Sequence, residues 1–294
     1  MKADKASATA RLIAAATVMC AHDAKTADLV APGATEWCEA FLSTSGADRW
    51  LRSSAKSGVS RAAWRLLERA THPGIVRHWM TRKKWIELHV QRALTGGASQ
   101  IVVLGAGLDT LGVRLGVERP DIRVVEIDHP ATLAVKRAVL ETRLGHGGPI
   151  LAEADFGRGN GEQLPVEAVD RDRPTLFLAE GLLMYLPEAQ VRSLLGGLAT
   201  MMTAESRLIF SFMVERENGV IGFEPRSALV SWWLASKDER FLWSLNPTKA
   251  RAFARELGWE VTGHADAIVL AGVAGGDHVI ARGEEILEAN SIRS

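Results

Sequence analysis

The sequence predicts an α/β fold in which a mostly parallel sheet is flanked by helices. From about residue 100 onward, short apolar segments typical of strands alternate with longer segments of helical spacing, the pattern of a parallel sheet covered by helices. The first of these strands lies in the run IVVLGAGLDT at residues 101–110, where four apolar residues lead into a glycine turn. Strand, glycine turn and helix in that order are typical of nucleotide-type cofactor sites.

Residues 1–95 show helical spacing and few strand signals, so we interpret them as an N-terminal helical cap. Four segments carry the helical pattern: ATARLIAAATVM, EWCEAFL, GVSRAAWRLLERA and IVRHWMTRKKWIELHVQRAL. The start of the chain also resembles a secretory signal, because basic residues precede an apolar run. Arg11 directly abuts that short, alanine-rich run, however, which favours an amphipathic helix. The run TGGAS then breaks the chain before the first clear strand.

Residues 96–294 are predicted to form the α/β core. We place strands at residues 101–104, 123–127, 150–154, 175–179 and 207–212, with helices at 130–145 and 187–202. The alternation stops after Val214, and residues 215–247 are polar, aromatic and long enough to form a helical lid insertion over the sheet. A helix at 248–258 and two last strands near 259–263 and 278–281 complete the prediction.

Composition excludes several classes of function. The chain of 294 residues has 35 Lys plus Arg against 35 Asp plus Glu, so no net field attracts nucleic acid or an anionic membrane. Two cysteines, Cys20 and Cys38, are too few for a disulfide framework or a cysteine zinc site, and no metal is expected. No apolar stretch approaches the roughly 20 residues needed to span a bilayer. These features favour a cytoplasmic protein with a small-molecule substrate; they leave its oligomeric state open.

The glycine turn carries the central chemical signal. Gly105 and Gly107 match the start of a dinucleotide-binding turn, but Thr110 stands where the third glycine would fall, and Asp109 precedes it. A pyrophosphate needs amide donors and positive potential, and a carboxylate in the turn would repel it. S-adenosylmethionine instead carries a sulfonium and an ammonium group and no phosphate. Asp109 therefore favours an adenosyl sulfonium cofactor over NAD.

Further acids follow the other predicted strands. Asp128, and after it Glu126, lie about 20 residues beyond the glycines, where a carboxylate accepts hydrogen bonds from ribose hydroxyls; a helix cap is the alternative. Asp155 ends the third strand with Phe156 beside it, which fits adenine or an ordinary surface turn. Glu180 ends the fourth strand among apolar residues, so it needs a cationic partner, either a core arginine such as Arg114 or a bound cofactor.

Taken together, these segments resemble the leucine carboxyl methyltransferase family and its bacterial small-molecule O-methyltransferase relatives. The motifs TRKKWIELHV, VVLGAGLDT, VVEIDHPATLAVKR, EADF and AEGLLMYLP occur in the family's order, and the resemblance runs from about residue 70 to 260. It implies a class I methyltransferase-like (Rossmann-like) fold, S-adenosylmethionine as cofactor and O-methylation of a carboxylate or hydroxyl. One departure is visible: Leu111 stands where the family usually has an arginine.

The resemblance also implies roles for seven residues, to which the charge argument adds Asp109. Arg82 would clamp the methionine carboxylate, which a guanidinium can do bidentately. Gly105 and Gly107 would let the backbone approach the methionine moiety. Asp109 fits the cationic cofactor on charge alone. The remaining four complete the cofactor site: Asp128 would hold the ribose, Asp155 and Phe156 the adenine, and Glu180 would face the amino-acid end.

The acceptor side is less determined by the sequence. A carboxylate acceptor needs no general base at pH 7 but needs a cationic cradle, for which Arg226, Arg240 and Arg216 are candidates. Tyr185, the only tyrosine, follows the fourth strand and either lines the acceptor pocket or packs beneath it. The aromatic residues predicted to form the pocket or its lid are Phe223, Trp232, Trp233, Phe241 and Trp243. His72, His78, His89 and His129 are predicted to be structural.

Three functional hypotheses remain open at this stage. The first is a small-molecule O-methyltransferase, with a protein C-terminal carboxylate as the competing acceptor; the apolar, aromatic insertion favours a metabolite. The second is an NAD-dependent oxidoreductase, which Asp109 and the missing third glycine oppose. The third is a cofactor-binding interaction protein without catalysis, which only the departure at Leu111 supports.

Overall fold

A seven-stranded sheet organises the molecule. The computed structural model describes residues 7–157, 164–201, 205–216, 219, 221–276 and 278–292. The strand order is β3-β2-β1-β4-β5-β7-β6. Strands β1 to β5 are parallel, and β7 pairs antiparallel with both β5 and β6. The predicted mostly parallel sheet flanked by helices is confirmed.

The element bounds agree with most of the predicted segments. The strands are β1 Gln100–Leu104, β2 Arg123–Asp128, β3 Ile150–Glu153, β4 Thr175–Ala179, β5 Arg207–Met213, β6 Trp259–Ala265 and β7 Glu284–Ser291. The helices are α1 Ala8–Ala21, α2 Ala34–Phe41, α3 Gly46–Lys56, α4 Gly58–Thr71, α5 Ile75–Thr95, α6 Leu111–Glu118, α7 Pro130–Leu144, α8 Glu188–Met201, α9 Ala228–Ser236, α10 Ala250–Glu256 and α11 Ala267–Val273. Among these, α3 and α11 were not predicted from the sequence.

Apolar side chains fill both faces of the sheet. On one face Trp85, Ile86 and Val90 of α5 pack on strand residues such as Ile101 and Leu178. The other face carries a larger cluster that includes Phe177, Phe210, Trp259 and the apolar side of α8. Burying each large apolar side chain stabilises the fold by roughly 1.5–3 kcal/mol, so these two layers hold the strand ends in fixed positions.

The N-terminal helices form a third apolar cluster beside the carboxyl ends of the strands. Val18 of α1 and Phe41 of α2 pack against Val113 of α6 and Leu140 of α7. Helix α5 belongs to the N-terminal helical segment, ends at Thr95 and packs on the sheet. This segment and the sheet therefore share apolar contacts. The division into a cap at 1–95 and a core at 96–294 stays a prediction.

The last strand was placed wrongly by sequence. The predicted strand at 278–281 is irregular chain, and β7 instead spans Glu284–Ser291. This strand contains Glu284, Glu285 and Glu288. Three charged residues are unusual in a strand that lies between two others, so the sequence pattern did not indicate a strand here. Each of the three is paired with a cation or a histidine: Arg82, His264 and His89. Within residues 215–247, the predicted lid insertion, the one α-helix found in the described part is α9.

Candidate functional site

The carboxyl ends of β1, β2, β3 and β4 surround a cavity of about 420 Å³. Because these strands are parallel and adjacent, the residues that follow them meet at one edge of the sheet. Eight residues predicted to bind the cofactor line this cavity: Arg82, Gly105, Gly107, Asp109, Asp128, Asp155, Phe156 and Glu180. The structure thus brings the whole predicted set together, and we refer to this space as the cofactor cavity.

The glycine turn requires the backbone freedom of its two glycines. Gly105 and Gly107 have φ of 67° and 53°, in the left-handed region that disfavours a side chain. A Cβ at Gly105 would also lie 2.9 Å from Cδ1 of Leu182. The turn is then fixed from the next strand, because the Gly107 amide donates to Oδ2 of Asp128 at 2.6 Å. At its far side, the Leu111 amide donates to Oδ1 of Asp109 at 2.6 Å as α6 begins.

Asp128, rather than Glu126, faces the cofactor cavity. Its second oxygen accepts the His129 amide at 2.5 Å, so two backbone donors orient the carboxylate. Burial raises the pKa of Asp128, although these two amides oppose the shift. Glu126 does not line the cavity; it is fully buried, and Lys136 Nζ donates to it at 2.6 Å. Of the two acids proposed for the ribose, the geometry therefore favours Asp128.

The part of the cavity around Asp155 and Phe156, which were predicted to hold adenine, is less constrained. Oδ1 of Asp155 accepts the Gly157 amide at 3.0 Å, and His129 Nε2 lies 3.8 Å from its other oxygen. His129 itself accepts the Ala131 amide at 3.2 Å and so caps α7, as its predicted structural role requires. Phe156 packs beside the large apolar cluster of the sheet.

An ion-pair network closes the amino-acid end of the cavity. Arg82 Nη2 lies 2.7 Å from Oε1 of Glu180, and its Nη1 lies 2.7 and 2.5 Å from the two oxygens of Glu284. Lys83 binds Asp109 and lies 3.2 Å from Oε1 of Glu180. Glu180 is therefore paired with Arg82 and Lys83 and not with Arg114, which pairs with Glu87 at 2.6 Å.

Glu284 is a central residue that sequence reasoning missed, because its strand was placed a few residues too early. It is fully buried between Arg82 and His78, whose Nε2 lies 2.8 Å from Oε2 of Glu284. Burial alone would raise the pKa of Glu284, but Arg82 and His78 outweigh it and lower that pKa to about 2. Burial likewise acts against ionisation of Asp109, yet Lys83 and the Leu111 amide hold its pKa below the ordinary value. Both acids are thus kept as carboxylates.

A second cavity, of about 820 Å³, adjoins the first. The two cavities share six lining residues: Thr9, Ile13, Arg82, Gly181, Tyr185 and Arg240. The second cavity is walled mainly by apolar and aromatic side chains from α1, α3, α4, α5 and α9, and Arg226 and Tyr185 line it as well. We refer to it as the acceptor cavity. Its volume is in the range of small-molecule sites.

Four of the five aromatic residues predicted for the pocket line this second cavity: Phe223, Trp232, Trp233 and Phe241. Trp243 does not; it is buried in the core with its ring 5.5 Å from that of Phe253. Arg216 is also displaced from its predicted role, because it pairs with Glu224 at 3.2 Å and lines neither cavity. Tyr185 lines both cavities, and burial raises the pKa of its hydroxyl, which therefore stays neutral at pH 7.

A contact between the predicted lid insertion and the start of α1 was not predicted. The carboxylate of Glu239 accepts the backbone amides of Ala8 and Thr9 at 2.8 and 3.0 Å, so it occupies the N-terminus of α1. An acid at this position also interacts favourably with the helix dipole. Glu239 is buried and lies 231 residues from Ala8 in sequence, a separation that no local pattern reveals. This contact joins α1 to the segment that follows α9.

The described residues contain no group of three or more metal-binding side chains. Within the same ranges, no helix is both long enough and apolar enough to cross a membrane. His78 and His89 are each paired with a glutamate, which agrees with the structural role predicted for them.

Comparison with known proteins gives a consistent picture. Residues 10–199 match the family model described as leucine carboxyl methyltransferase. A relative from Streptomyces coelicolor, provisionally named as an S-adenosyl-L-methionine-dependent methyltransferase, is 29% identical over 63% of this chain and 63% of its own length. A relative of the same description from Mycobacteroides abscessus is 34% identical over 52% of this chain and 50% of its own. The chain thus spans half to just under two thirds of these relatives. Their description agrees with the predicted cofactor.

A solved structure confirms the fold. It is provisionally described as a methyltransferase from Thermobifida fusca, with a TM-score of 0.56 and 20% sequence identity. The match covers 87% of this chain and 93% of that one. The sheet order and this likeness together confirm the predicted class I methyltransferase-like fold.

Proposed function

The chain belongs to the leucine carboxyl methyltransferase family, and from this premise we propose that it is an S-adenosylmethionine-dependent O-methyltransferase. The proposed acceptor is the carboxylate or hydroxyl of a small, largely apolar molecule. The observation that carries this proposal is the pair of adjoining cavities, one rich in acids at the sheet edge and one apolar, which share Arg82, Gly181, Tyr185 and Arg240. A methyl donor in one and an acceptor in the other would meet at these shared residues.

The cofactor cavity fits a cationic ligand. Lys83 is shared between Asp109 and Glu180 at its wall. The lining as a whole carries seven acids and five cations; the acids are Glu87, Asp109, Asp128, Asp155, Glu180, Asp238 and Glu239. This excess of negative charge favours a sulfonium and an ammonium group and disfavours a diphosphate. In our proposal Asp128 holds the ribose, Asp155 and Phe156 hold adenine, and Gly105 and Gly107 admit the methionine backbone.

Arg82 is proposed to bind the methionine carboxylate, but the structure shows that it also has a structural task. Its Nε and Nη2 point to Glu180 and its Nη1 to Glu284. A cofactor carboxylate would therefore join an existing ion-pair cluster. Arg82 would bind it through the Nη2 hydrogen that does not point to Glu180. Lys83, beside Asp109 and Glu180, is the neighbouring cation that could share this contact.

The acceptor cavity fits an apolar molecule with a single polar end. When bound, S-adenosylmethionine supplies an electrophilic methyl group, and the protein's part is to align the acceptor oxygen and exclude water. A carboxylate is already ionised at pH 7, so it needs only a cationic cradle, for which Arg240 lines both cavities and Arg226 lines the acceptor cavity alone. The neutral Tyr185 hydroxyl would act as a hydrogen-bond donor to that oxygen, not as a base.

The experiment that tests the proposal uses the purified protein with methyl-labelled S-adenosylmethionine and host extract. We expect label in the small-molecule fraction; release of labelled methanol by mild alkali would identify a carboxyl ester, and stable label an ether. Label confined to protein would indicate the C-terminal carboxyl methyltransferase alternative. Cofactor binding without any labelled product would contradict a catalytic function. It would favour the alternative of a cofactor-binding interaction protein without catalysis.

A further inference from the structure

Helix α4 turns an apolar face to solvent. Its residues Val59, Ala62, Ala63, Leu66 and Ala70 are all exposed, Val59 to 85% and Leu66 to 69%. Their spacing of three or four residues places them along one side of the helix. None of the fourteen residues of α4, all of them described, is fully buried. An amphipathic helix normally turns this side inward, so the arrangement points to a partner surface.

The opposite side of α4 faces the protein with more polar groups. Trp64 Nε1 donates to Oγ of Ser54 at 2.8 Å, and Arg65 pairs with Asp23. Glu68 and Thr71 line the acceptor cavity together with Trp64. These contacts fix the rotation of α4, so the exposed apolar side is a consequence of its packing.

Helix α3 adds an exposed aromatic residue beside α4. Trp50 of α3 is 65% exposed and lines neither cavity, whereas the exposed Trp232 and Leu229 of α9 line the acceptor cavity. Helices α3, α4 and α9 all contribute to the wall of the acceptor cavity. We call the surface formed by Trp50 and the exposed apolar residues of α4 the α4 face. It lies on the outside of the cavity that would take the acceptor.

Basic residues surround this face. Helices α3 and α4 carry six cations and two acids; the cations are Arg49, Arg52, Lys56, Arg61, Arg65 and Arg69. Of the two acids, Asp48 is buried and Glu68 lines the cavity. Lys56 and Arg65 are paired with acids of other segments. The excess positive charge therefore comes from the other four cations: Arg49, Arg52, Arg61 and Arg69. The zero net charge of the chain therefore conceals a locally basic, apolar surface.

We propose that the α4 face docks on an anionic membrane surface. Exposed tryptophan and aliphatic side chains flanked by arginines are the pattern of helices that lie in the lipid interface. Anionic headgroups complement the arginines while the apolar residues enter the acyl boundary. A second copy of this chain is a poorer occupant, because a two-fold interface would place these arginines opposite their own equivalents.

Docking also gives the acceptor cavity a source of apolar molecules. Since α3 and α4 carry the α4 face on one side and part of the cavity wall on the other, a docked protein holds the cavity beside the bilayer. This step rests on the proposed methyltransferase function, whereas docking itself does not. Membrane binding can therefore be measured without cofactor or acceptor, and its failure would leave the proposed function untouched.

The test is co-sedimentation of the full chain with vesicles of phosphatidylcholine, with or without phosphatidylglycerol. We expect binding only to the anionic vesicles, weakened by salt. The double variant Val59→Asp and Leu66→Asp should bind roughly tenfold or more weakly, and Arg49→Glu with Arg69→Glu should remove the salt-sensitive part. Neither pair lines either cavity. The matched control is Ile268→Asp on α11, which is 77% exposed and should bind as the parent does.

Two results would overturn the proposal. One is the absence of binding to anionic vesicles by the parent protein. The other is unchanged vesicle binding in the Val59→Asp and Leu66→Asp variant, for instance with loss of a dimer in light scattering, which would identify the face as a subunit interface. Circular dichroism and cofactor binding confirm that each variant is folded.

Discussion

The cofactor cavity and the acceptor cavity adjoin, yet they are built in different ways. The first is formed by residues directly after parallel strands, held by charged networks such as Arg82 with Glu180 and Glu284. The second is walled mainly by helices that come from distant parts of the sequence, with aromatic side chains and few ion pairs. We therefore expect changes in the first cavity to alter stability and cofactor affinity, whereas changes at aromatic residues that line only the second should alter acceptor binding.

The largest expected effect is on the network below the cofactor cavity. Arg82→Ala removes the guanidinium that Glu284 and Glu180 share, and leaves Glu284 beside His78 and Glu180 beside Lys83. Because a buried ion-pair network loses its central cation, we expect the free energy of unfolding to fall by about 3–5 kcal/mol. Urea unfolding followed by circular dichroism measures it. The control is Arg192→Ala, whose ion pair with Glu188 is exposed and contributes about 0–1 kcal/mol. Equal, small losses in both variants would contradict the structural role of Arg82.

Binding must be measured separately in the same variant. If Arg82 also holds the cofactor carboxylate, its removal should weaken binding by roughly 2–5 kcal/mol in calorimetry. A dissociation constant equal to that of the parent would remove Arg82 from the cofactor site and leave it a purely structural residue.

The second effect is a dependence of stability on pH. The pKa of Glu284 is about 2 in the folded protein, against its ordinary value of 4.5. A lowered folded-state pKa contributes stability that is present above pH 4.5 and lost as pH falls toward 2, by about 3 kcal/mol at most. Unfolding free energies measured across this window should show the loss in the parent. Glu284→Gln should flatten that slope; an unchanged slope would assign it to other carboxylates.

The third effect concerns cofactor affinity. Asp128→Asn keeps the shape of the side chain but removes its charge, so we expect S-adenosylhomocysteine to bind more weakly by about 1.5–3 kcal/mol. Calorimetric titration measures this change. Glu153→Gln is the control, because Glu153 is an exposed acid on the neighbouring strand β3 and forms an exposed ion pair with Arg137 at 3.1 Å. Equal affinity in the parent and the Asp128 variant would exclude Asp128 from the ribose site.

The smallest effect lies in the acceptor cavity. The Phe241 ring is 5.5 Å from that of Tyr185 and 6.3 Å from that of Phe223, and such aromatic pairs each stabilise the local packing by about 0.5–1.5 kcal/mol. Because Phe241 lines the acceptor cavity and not the cofactor cavity, Phe241→Ala should raise the KM for the acceptor while cofactor affinity stays at the parent value. Trp243→Ala serves as a contrast, since Trp243 is in the core and its loss should lower stability instead. A large loss of cofactor affinity in Phe241→Ala would contradict the expectation that the two cavities bind cofactor and acceptor separately.

The sequence predicted the cofactor cavity better than any other part of the molecule. Its glycines and acids follow apolar strands within a few residues, so local patterns place them at one sheet edge once the strands are known. Glu284 was missed because the charges of β7 disguise a buried strand whose partners, Arg82, His78 and His89, lie about 200 residues away.

The acceptor cavity and the lid insertion at residues 215–247 were predicted only in part. The spacing of Trp232, Trp233 and Phe241 indicated an aromatic lid, but Trp243 shares that pattern and is core. The contact between Glu239 and the start of α1 joins segments 231 residues apart, and its geometry depends on tertiary packing alone. The exposed apolar side of α4 likewise appears only when the rotation of that helix is known.

The most direct test of the account is a pair of calorimetric titrations of the parent protein, with S-adenosylmethionine and with NADH. The central claim is that carboxylates at the strand ends favour a cationic sulfur ligand and repel a diphosphate. We expect S-adenosylmethionine to bind at a single site and NADH to give no heat of binding. Binding of NADH without binding of S-adenosylmethionine would contradict the account.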